Sequence, residues 1–422
     1  MNLIERAKEL LAERLRTERA EGGKAFRERA WSEFERQGLP DRHNEAWKYS
    51  ALTELSRKDW APAAASDEIP AAAAELLRAW RDEFDVAVLI NGVLHKKASR
   101  LTLESGYSLG SVAGDLKMDY DDGFVSMAAA VHRGGYHLHV EDGVAFPRPL
   151  LIVNCVQGEG AWASTLNHIT LGARAEMQVC EVFVGGAAAY LRTDITQAEL
   201  GEGAIFSWSR LQQDSPQASH FSEAQARLAK SAQLHLTQVN SGGAWGRHSL
   251  KVAIDGEHAE AQVNGLTFGR ERQHLDQRVN VLHHAGHSTS SQLFKGVLKD
   301  HARGVLNGKI YIARHAQKVN SSQLNHNLLL SPQAEADTKP ELEIYADDVK
   351  ANHGASIGKL DEDKLFYLMS RAIPKDQAMG MLAKAFVGDV LMKIHKPTVR
   401  ALVTAQIEAL LPNFLREMEA AP

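Results

Sequence analysis

Cysteine is almost missing from this chain. Two thiols, Cys155 and Cys180, serve 422 residues, which excludes a disulfide framework and suits a reducing compartment. Two thiols also cannot build a four-cysteine metal site within one chain. Long apolar runs are absent. Stretches such as Val86–Ile90 are far too short to span a bilayer as a helix. The start, Met1 to Arg6, is charged and helix-like, so no signal peptide is expected. No basic run stands out, and the formal net charge is -5, which argues against a nucleic-acid surface. Aromatic residues make up 7% of the chain and form no stripe of stacking platforms. A phosphate loop is missing too. Gly354-Ala355-Ser356-Ile357-Gly358-Lys359-Leu360 has three residues between its glycines instead of four, and leucine follows the lysine. The expectation is a cytoplasmic protein with no membrane span, no nucleic-acid partner and no ATP site of its own.

Hydrophobic residues make up 44% of the sequence, enough for a large core. Residues 1 to about 37 favour helix through Glu, Arg, Ala and Leu, until Gly38-Leu39-Pro40 interrupts them. Residues 61–73 read as a linker, Ala71 to Phe84 as a helix, and Val86 to Val93 as a strand ending at the Asn91-Gly92 turn. The region 1–135 is therefore mostly helical, with a linker and a short strand. Helical texture returns after Gly354. Asp361 to Arg371 begins with acids, as a helix N-terminus should. Leu382, Phe386, Val390 and Ile394 recur every fourth residue. Val403, Ile407, Leu410 and Phe414 follow an i, i+4, i+7, i+11 pattern. Both stretches are amphipathic helices, and together they make 355–422 a helical subdomain. Packing on each other or on the preceding domain accounts for either stripe.

Between about 136 and 354 the texture is alternation and turns. Apolar marks leading into turns fall at Leu171, Leu200, Leu228, Ile254, Leu282, Val305 and Leu330, with steps of 29, 28, 26, 28, 23 and 25 residues. A period in the twenties with strand texture points to a β-solenoid. Leucine-rich, ankyrin and TPR consensus patterns are missing. A sandwich also has frequent strands, so the pattern alone leaves it open. The even step favours the solenoid. So do Gln323, Asn325 and Asn327 on one strand face, where stacked amides can bond along such a stack. Roughly eight coils at ~4.8 Å each would extend about 40 Å.

Polar residues suggest several sites, each with a plainer explanation. His283, His284 and His287 resemble metal ligands, but consecutive strand residues point to opposite faces, which favours a structural role. Asp347, Asp348, Asp361, Glu362 and Asp363 are the densest acids. Paired carboxylates on a β-helix would fit a carbohydrate lyase or hydrolase, the alternative class. Cys155 and Cys180 lie in apolar runs, where free cysteine is usually a small buried hydrophobe.

One stretch, Asn280 to Gly354, carries many motifs in fixed order. They are His283-His284-Ala285-Gly286-His287-Ser288, Lys295-Gly296-Val297-Leu298, Ala302-Arg303-Gly304, Asp337-Thr338-Lys339-Pro340, Glu343-Ile344-Tyr345-Ala346-Asp347-Asp348 and Asn352-His353-Gly354. Together with Gly38-Leu39-Pro40 and Glu45-x-Trp47-Lys48-Tyr49, they resemble the SufB/SufD family of iron–sulfur cluster assembly scaffolds, and most closely its SufD-type members. The resemblance is dense over Val281 to Ile373 and mainly one of texture in the middle region. It implies a right-handed parallel β-helix flanked by helical subdomains. It also implies a non-catalytic subunit, pairing with a SufB-like paralogue through the β-helix. The C-terminal helices would dock a SufC-like ATPase, with Leu382, Phe386, Val390 and Ile394 as candidates. His353 would lie at the paralogue interface and act as an iron ligand in building the nascent cluster. Tyr345, Asp347, Asp348, Lys350 and Asn352 would line that interface. Ala351 stands where family members often carry cysteine, so the thiolate would come from the partner. No cofactor would be held stably by the isolated chain, only transient iron or a cluster shared with the paralogue. Homodimerisation of the isolated chain stays open.

Overall fold

The computed structural model describes residues 2–102, 106–112, 116 and 118–416. Residues 417–422, at the end of the expected helical subdomain, lie outside the described set. Among the described residues five α-helices occur before residue 136: α1 (Leu3–Thr17), α2 (Glu21–Gln37), α3 (Thr53–Arg57), α4 (Ala71–Trp80) and α5 (Gly123–Val131). Three follow the last strand: α6 (Glu362–Ser370), α7 (Lys375–Leu391) and α8 (Pro397–Arg416). Proline at the first position of α8 suits a helix start, where its missing N–H is not needed.

The middle is a parallel β-solenoid of about eight coils. Successive strands alternate between two sheets, so each coil contributes one strand to each. The first sheet runs through β4 (Tyr107–Gly110), β5 (His137–Val140), β7 (Ala161–Leu171), β9 (Tyr190–Leu200), β11 (Ser219–Leu228), β13 (Trp245–Ile254), β15 (His274–His283), β17 (Arg303–Ile312) and β19 (Glu335–Ile344). The short β1 (Ala61–Pro62) pairs with β7. The second runs through β3 (Val93–Leu94), β2 (Asp85–Ile90), β6 (Leu150–Val156), β8 (Glu176–Gly185), β10 (Ile205–Gln213), β12 (Gln233–Asn240), β14 (Glu260–Gly269), β16 (Thr289–Leu298), β18 (Asn320–Leu329) and β20 (Lys350–Gly358). The sheets thus take in β2, well before residue 136, through its parallel pairing with β6. The last strand runs to Gly358, past residue 354.

The repeat is real, and part of it was placed correctly. Leu171, Leu200, Leu228 and Ile254 are register partners on successive rungs. The next partners are His283, Ile312 and Ile344, not Leu282, Val305 and Leu330. A histidine in an otherwise apolar column moves the visible mark to its neighbour. One corner recurs in each coil through a left-handed residue. Gly143, Arg174, Gly203, Ser231, His258, His287 and Lys318 have φ between 56° and 71°. Most of these are not glycine, so the conformation carries a cost. Corner bonds to the next coil offset it, as in Arg174 N–H to Glu202 O at 2.8 Å and Lys318 N–H to Asp348 O at 2.7 Å.

Helices cover both outer faces. On the first sheet, Phe26, Trp31 and Phe124 pack over Leu166, Ile195 and Phe221. The segment around Trp47 straps this layer down. Its indole donates to Asp122 Oδ2 at 2.8 Å, and the Arg247 guanidinium lies 4.0 Å from the ring centre. Further along the strap, Glu45 pairs with Lys339 at 2.5 Å. On the second sheet, Leu76 from α4 and Val387, Leu402 and Phe414 from α7 and α8 pack with Leu151, Val182, Leu211, Val239 and Leu266.

Candidate functional site

The solenoid interior is apolar along much of its length, with Leu150, Ile152, Val179, Phe206, Leu234 and Val263 among its lining residues. It also holds charge. Arg210 bridges Glu181 at 3.1 Å and Asp194 at 2.5 Å. Asp214 accepts from Tyr190 at 2.6 Å and Arg192 at 3.1 Å, and it pairs with His220 at 2.8 Å. Burial disfavours ionisation of Asp214, but Arg192 and His220 outweigh it and hold the carboxyl far below the usual range. Sequence reading missed these networks because Glu181, Arg192, Asp194, Arg210 and Asp214 are spread over three successive strands, β8, β9 and β10, and the turn that follows.

The other end of the solenoid is open. Strands β19 and β20 are the last rungs of their sheets. Inward parity on β20 follows from the columns beneath it. Val263, Gln292, Gln323 and His353 are successive register partners, and Val263 belongs to the interior core. Successive side chains on a strand alternate faces, so His353 and Ala351 sit on the lumen side and Lys350 and Asn352 on the outer side. His353 is exposed. The preceding strand stops at Ile344 and His353 lies within β20. Tyr345, Asp347 and Asp348 form the turn between these strands. Tyr345 is 55% exposed and lies 5.7 Å from the Tyr311 ring. Asp348 is paired with Lys318. Ile344 and Ile357 are also exposed at this end, so the rim is partly apolar.

The amides anticipated on β18 do face inward, but they do not form a rung-to-rung ladder. Asn325 Nδ2 donates to Thr338 Oγ1 at 2.9 Å across the lumen, and Asn327 Nδ2 to Asn325 Oδ1 at 3.3 Å along the strand.

The histidine cluster is dispersed. His283 is buried between the Ser288 and Ser290 hydroxyls at 2.8 and 2.9 Å, and burial, with a smaller effect of His284, pushes its pKa down to about 4. His284 meets Asp255 at 2.8 Å, and His287 is a corner residue. Among the described residues no group of three or more His, Cys, Asp or Glu is arranged to hold a metal ion. Cys155 and Cys180 are both buried. Burial pushes the Cys155 thiol up to about 12 and that of Cys180 further.

The carboxylates expected for a carbohydrate enzyme do not converge. Asp347 and Asp348 precede β20, whereas Asp361 caps α6, accepting from Lys364 N at 3.1 Å. The nine residues of β20 separate the two groups by about 30 Å.

The four docking candidates also change character. Val390 and Ile394 are buried in the chain's own core beside the second sheet, and Phe386 is partly buried against the same core. Leu382 is likewise only partly exposed. Lys295 of β16 fixes this helix, donating to Phe386 O at 2.7 Å and pairing with Asp389 at 2.9 Å. Among the described residues the large apolar side chains left exposed in this region are Phe366, Tyr367 and Met369 on α6, which buries no residue, with Met381 and Met392. Sequence periodicity marked the stripe that packs, and only exposure marks the stripe that does not.

A parallel β-solenoid with helices at both ends and an open final coil defines the class. Comparison with known proteins supplies the family. A family model described as SUF system FeS cluster assembly, SufBD core domain, matches residues 154–386, and one for the SufBD protein N-terminal region matches residues 3–152. The chain belongs to the SufB/SufD family. It is 31% identical over 391 residues to the iron–sulfur cluster assembly protein SufD of Escherichia coli, covering 90% of this chain and 91% of that protein. An iron–sulfur cluster assembly SufBD family protein of Synechocystis is 28% identical over 383 residues, covering 84% of each. A chloroplastic protein of Arabidopsis thaliana is 30% identical over 240 residues, covering 56% of this chain and 50% of that one. Among the described residues no helix is long and apolar enough to cross a membrane.

Proposed function

We propose that this chain is a non-catalytic, SufD-like subunit of an iron–sulfur assembly scaffold in the cytoplasm. Its open coil pairs with a SufB-like paralogue, and its C-terminal helices carry a SufC-like ATPase. The observation that carries this reading is the uncapped end of the solenoid. An unpaired strand is a template for another chain, and β19 and β20 offer one edge each, rimmed by Ile344, Tyr345 and Ile357. His353 sits on that rim with an imidazole suited to iron. The chain's own thiols are buried, so the thiolate comes from the partner, and iron or the nascent cluster is shared cargo. Docking of the ATPase falls on exposed α6 and a crevice of about 380 Å³ lined by Asp376, Met381, Lys384, Glu408 and Leu411.

The test is co-expression with a SufB-like paralogue and a SufC-like ATPase, with iron–sulfur enzyme activity read in cells dependent on this system. His353→Ala should preserve capture of both partners and sharply reduce maturation. Full activity would make His353 dispensable, and lost capture would make it an interface residue only. Phe366→Glu with Tyr367→Glu should release the ATPase alone. These exposed sites test docking better than deleting the C-terminal helices, which would uncover the second sheet.

A further inference from the structure

Beneath His353 the lumen changes chemistry. The column that carries Trp208, Leu236 and Val263 on earlier rungs becomes Gln292 and then Gln323, immediately under His353. Both glutamines are 2% exposed. Neither polar atom of the Gln292 side chain has a hydrogen-bond partner, nor has Gln323 Oε1. Packing alone does not favour this, because a buried unpaired amide is less stable than an apolar group of the same shape. Space has nevertheless been made for one. Across the lumen stands Gly308, where a methyl group would lie 1.6 Å from Gln323 Nε2.

Neighbouring rungs are about 4.8 Å apart, within reach of a glutamine side chain. We propose that Gln323, backed by Gln292, is a positioning residue for His353. Rotation of the two side chains would let Gln323 Oε1 accept the N–H of one imidazole nitrogen and Gln323 Nε2 donate to Gln292 Oε1 below, satisfying two oxygens that are now unpaired. This bond fixes the tautomer and holds the other nitrogen unprotonated toward the solenoid mouth. A histidine that binds metal is commonly oriented this way through its second nitrogen. The inference rests on the reading of His353 as an iron ligand.

The test uses full-length protein labelled with ¹⁵N-histidine, with the His353 imidazole signals assigned by their loss in His353→Ala. Thermal unfolding and cluster maturation in the reconstituted three-subunit system accompany it. Wild type should show one dominant His353 tautomer. Gln323→Leu should unfold at the same temperature or higher, mix the tautomers, and reduce maturation by about 10- to 100-fold. Gln323→Glu presents an acceptor oxygen at the same reach and should restore the single tautomer and much of the activity. A Gln323→Leu protein that melts earlier would make the amide structural and overturn the inference. An unchanged tautomer with full activity, while His353→Ala is inactive, would overturn it and leave His353 as the ligand. A fully active His353→Ala would remove both.

Discussion

Glu223 offers the most quantitative test of how the helical layer sits on the solenoid. It lies on the outer face of β11, 3% exposed, with Gln225 Nε2 reaching its Oε1 at 3.4 Å. Burial pushes its pKa up from 4.5 to about 8, Asp121 and Asp122 add to the rise, and Gln225 and Arg278 offset part of it. A carboxyl raised in the folded state binds its proton more tightly there than in the unfolded chain. Its contribution is therefore complete below the unfolded pKa of 4.5 and is lost as pH rises through about 8. At 1.36 kcal/mol per pH unit, the full loss is about 5 kcal/mol above pH 8, and about 4 kcal/mol of it has occurred by pH 7.5. Glu223→Gln keeps the shape of the protonated acid and removes the titration. The variant should match the wild type within about 1 kcal/mol at pH 5 and exceed it by up to about 5 kcal/mol at pH 9. Paired thermal and urea unfolding across that range reads the gap. A gap that stays constant with pH, or a variant less stable at pH 9, would refute the argument.

Two further outcomes follow from burial. Trp47→Ala removes a fully buried indole from between Phe221 and Arg247 and strips Asp122 of a donor. It should cost about 3–5 kcal/mol and expose α1 and α2 to limited proteolysis before the solenoid is cut. Cys155 and Cys180, buried and with raised pKa values, should resist a thiol-alkylating reagent in the native protein and react only on denaturation, as mass spectrometry would show.

The coil period was legible because Leu171, Leu200, Leu228 and Ile254 are the same physical position repeated on successive rungs. It faded where His283 took that position, since a column can change from apolar to polar once hydroxyls such as Ser288 and Ser290 satisfy the newcomer. The boundary near residue 136 missed β2 for a related reason. Its partner strand, β6, lies sixty residues further on, and the intervening α5 hides their adjacency. The amphipathic stripe of α7 was legible as a stripe. Whether its apolar side met another chain or this one was not, because a covering sheet and a covering partner impose the same spacing.

The open end was only half legible. Motif order drew attention to His353, yet its direction depends on register. Each rung beneath fixes the parity of the next, so one strand shifted by a single residue would point His353 at solvent and bring Asn352 or Gly354 to the lumen. Parity also explains why Gln323 could not be singled out. In sequence it is thirty residues from His353 and looks like one member of an amide-rich strand. Only the ladder that pairs β18 with β20 makes it the neighbour below. The same ladder separates two faces at this end. Lys350 and Asn352 face outward, away from the lumen. Ala351 and His353 face inward, toward the mouth of the lumen. Alanine at 351 puts no ligating group beside His353 on that face of the strand, so on the proposed reading the thiolate is supplied by the chain that closes the coil.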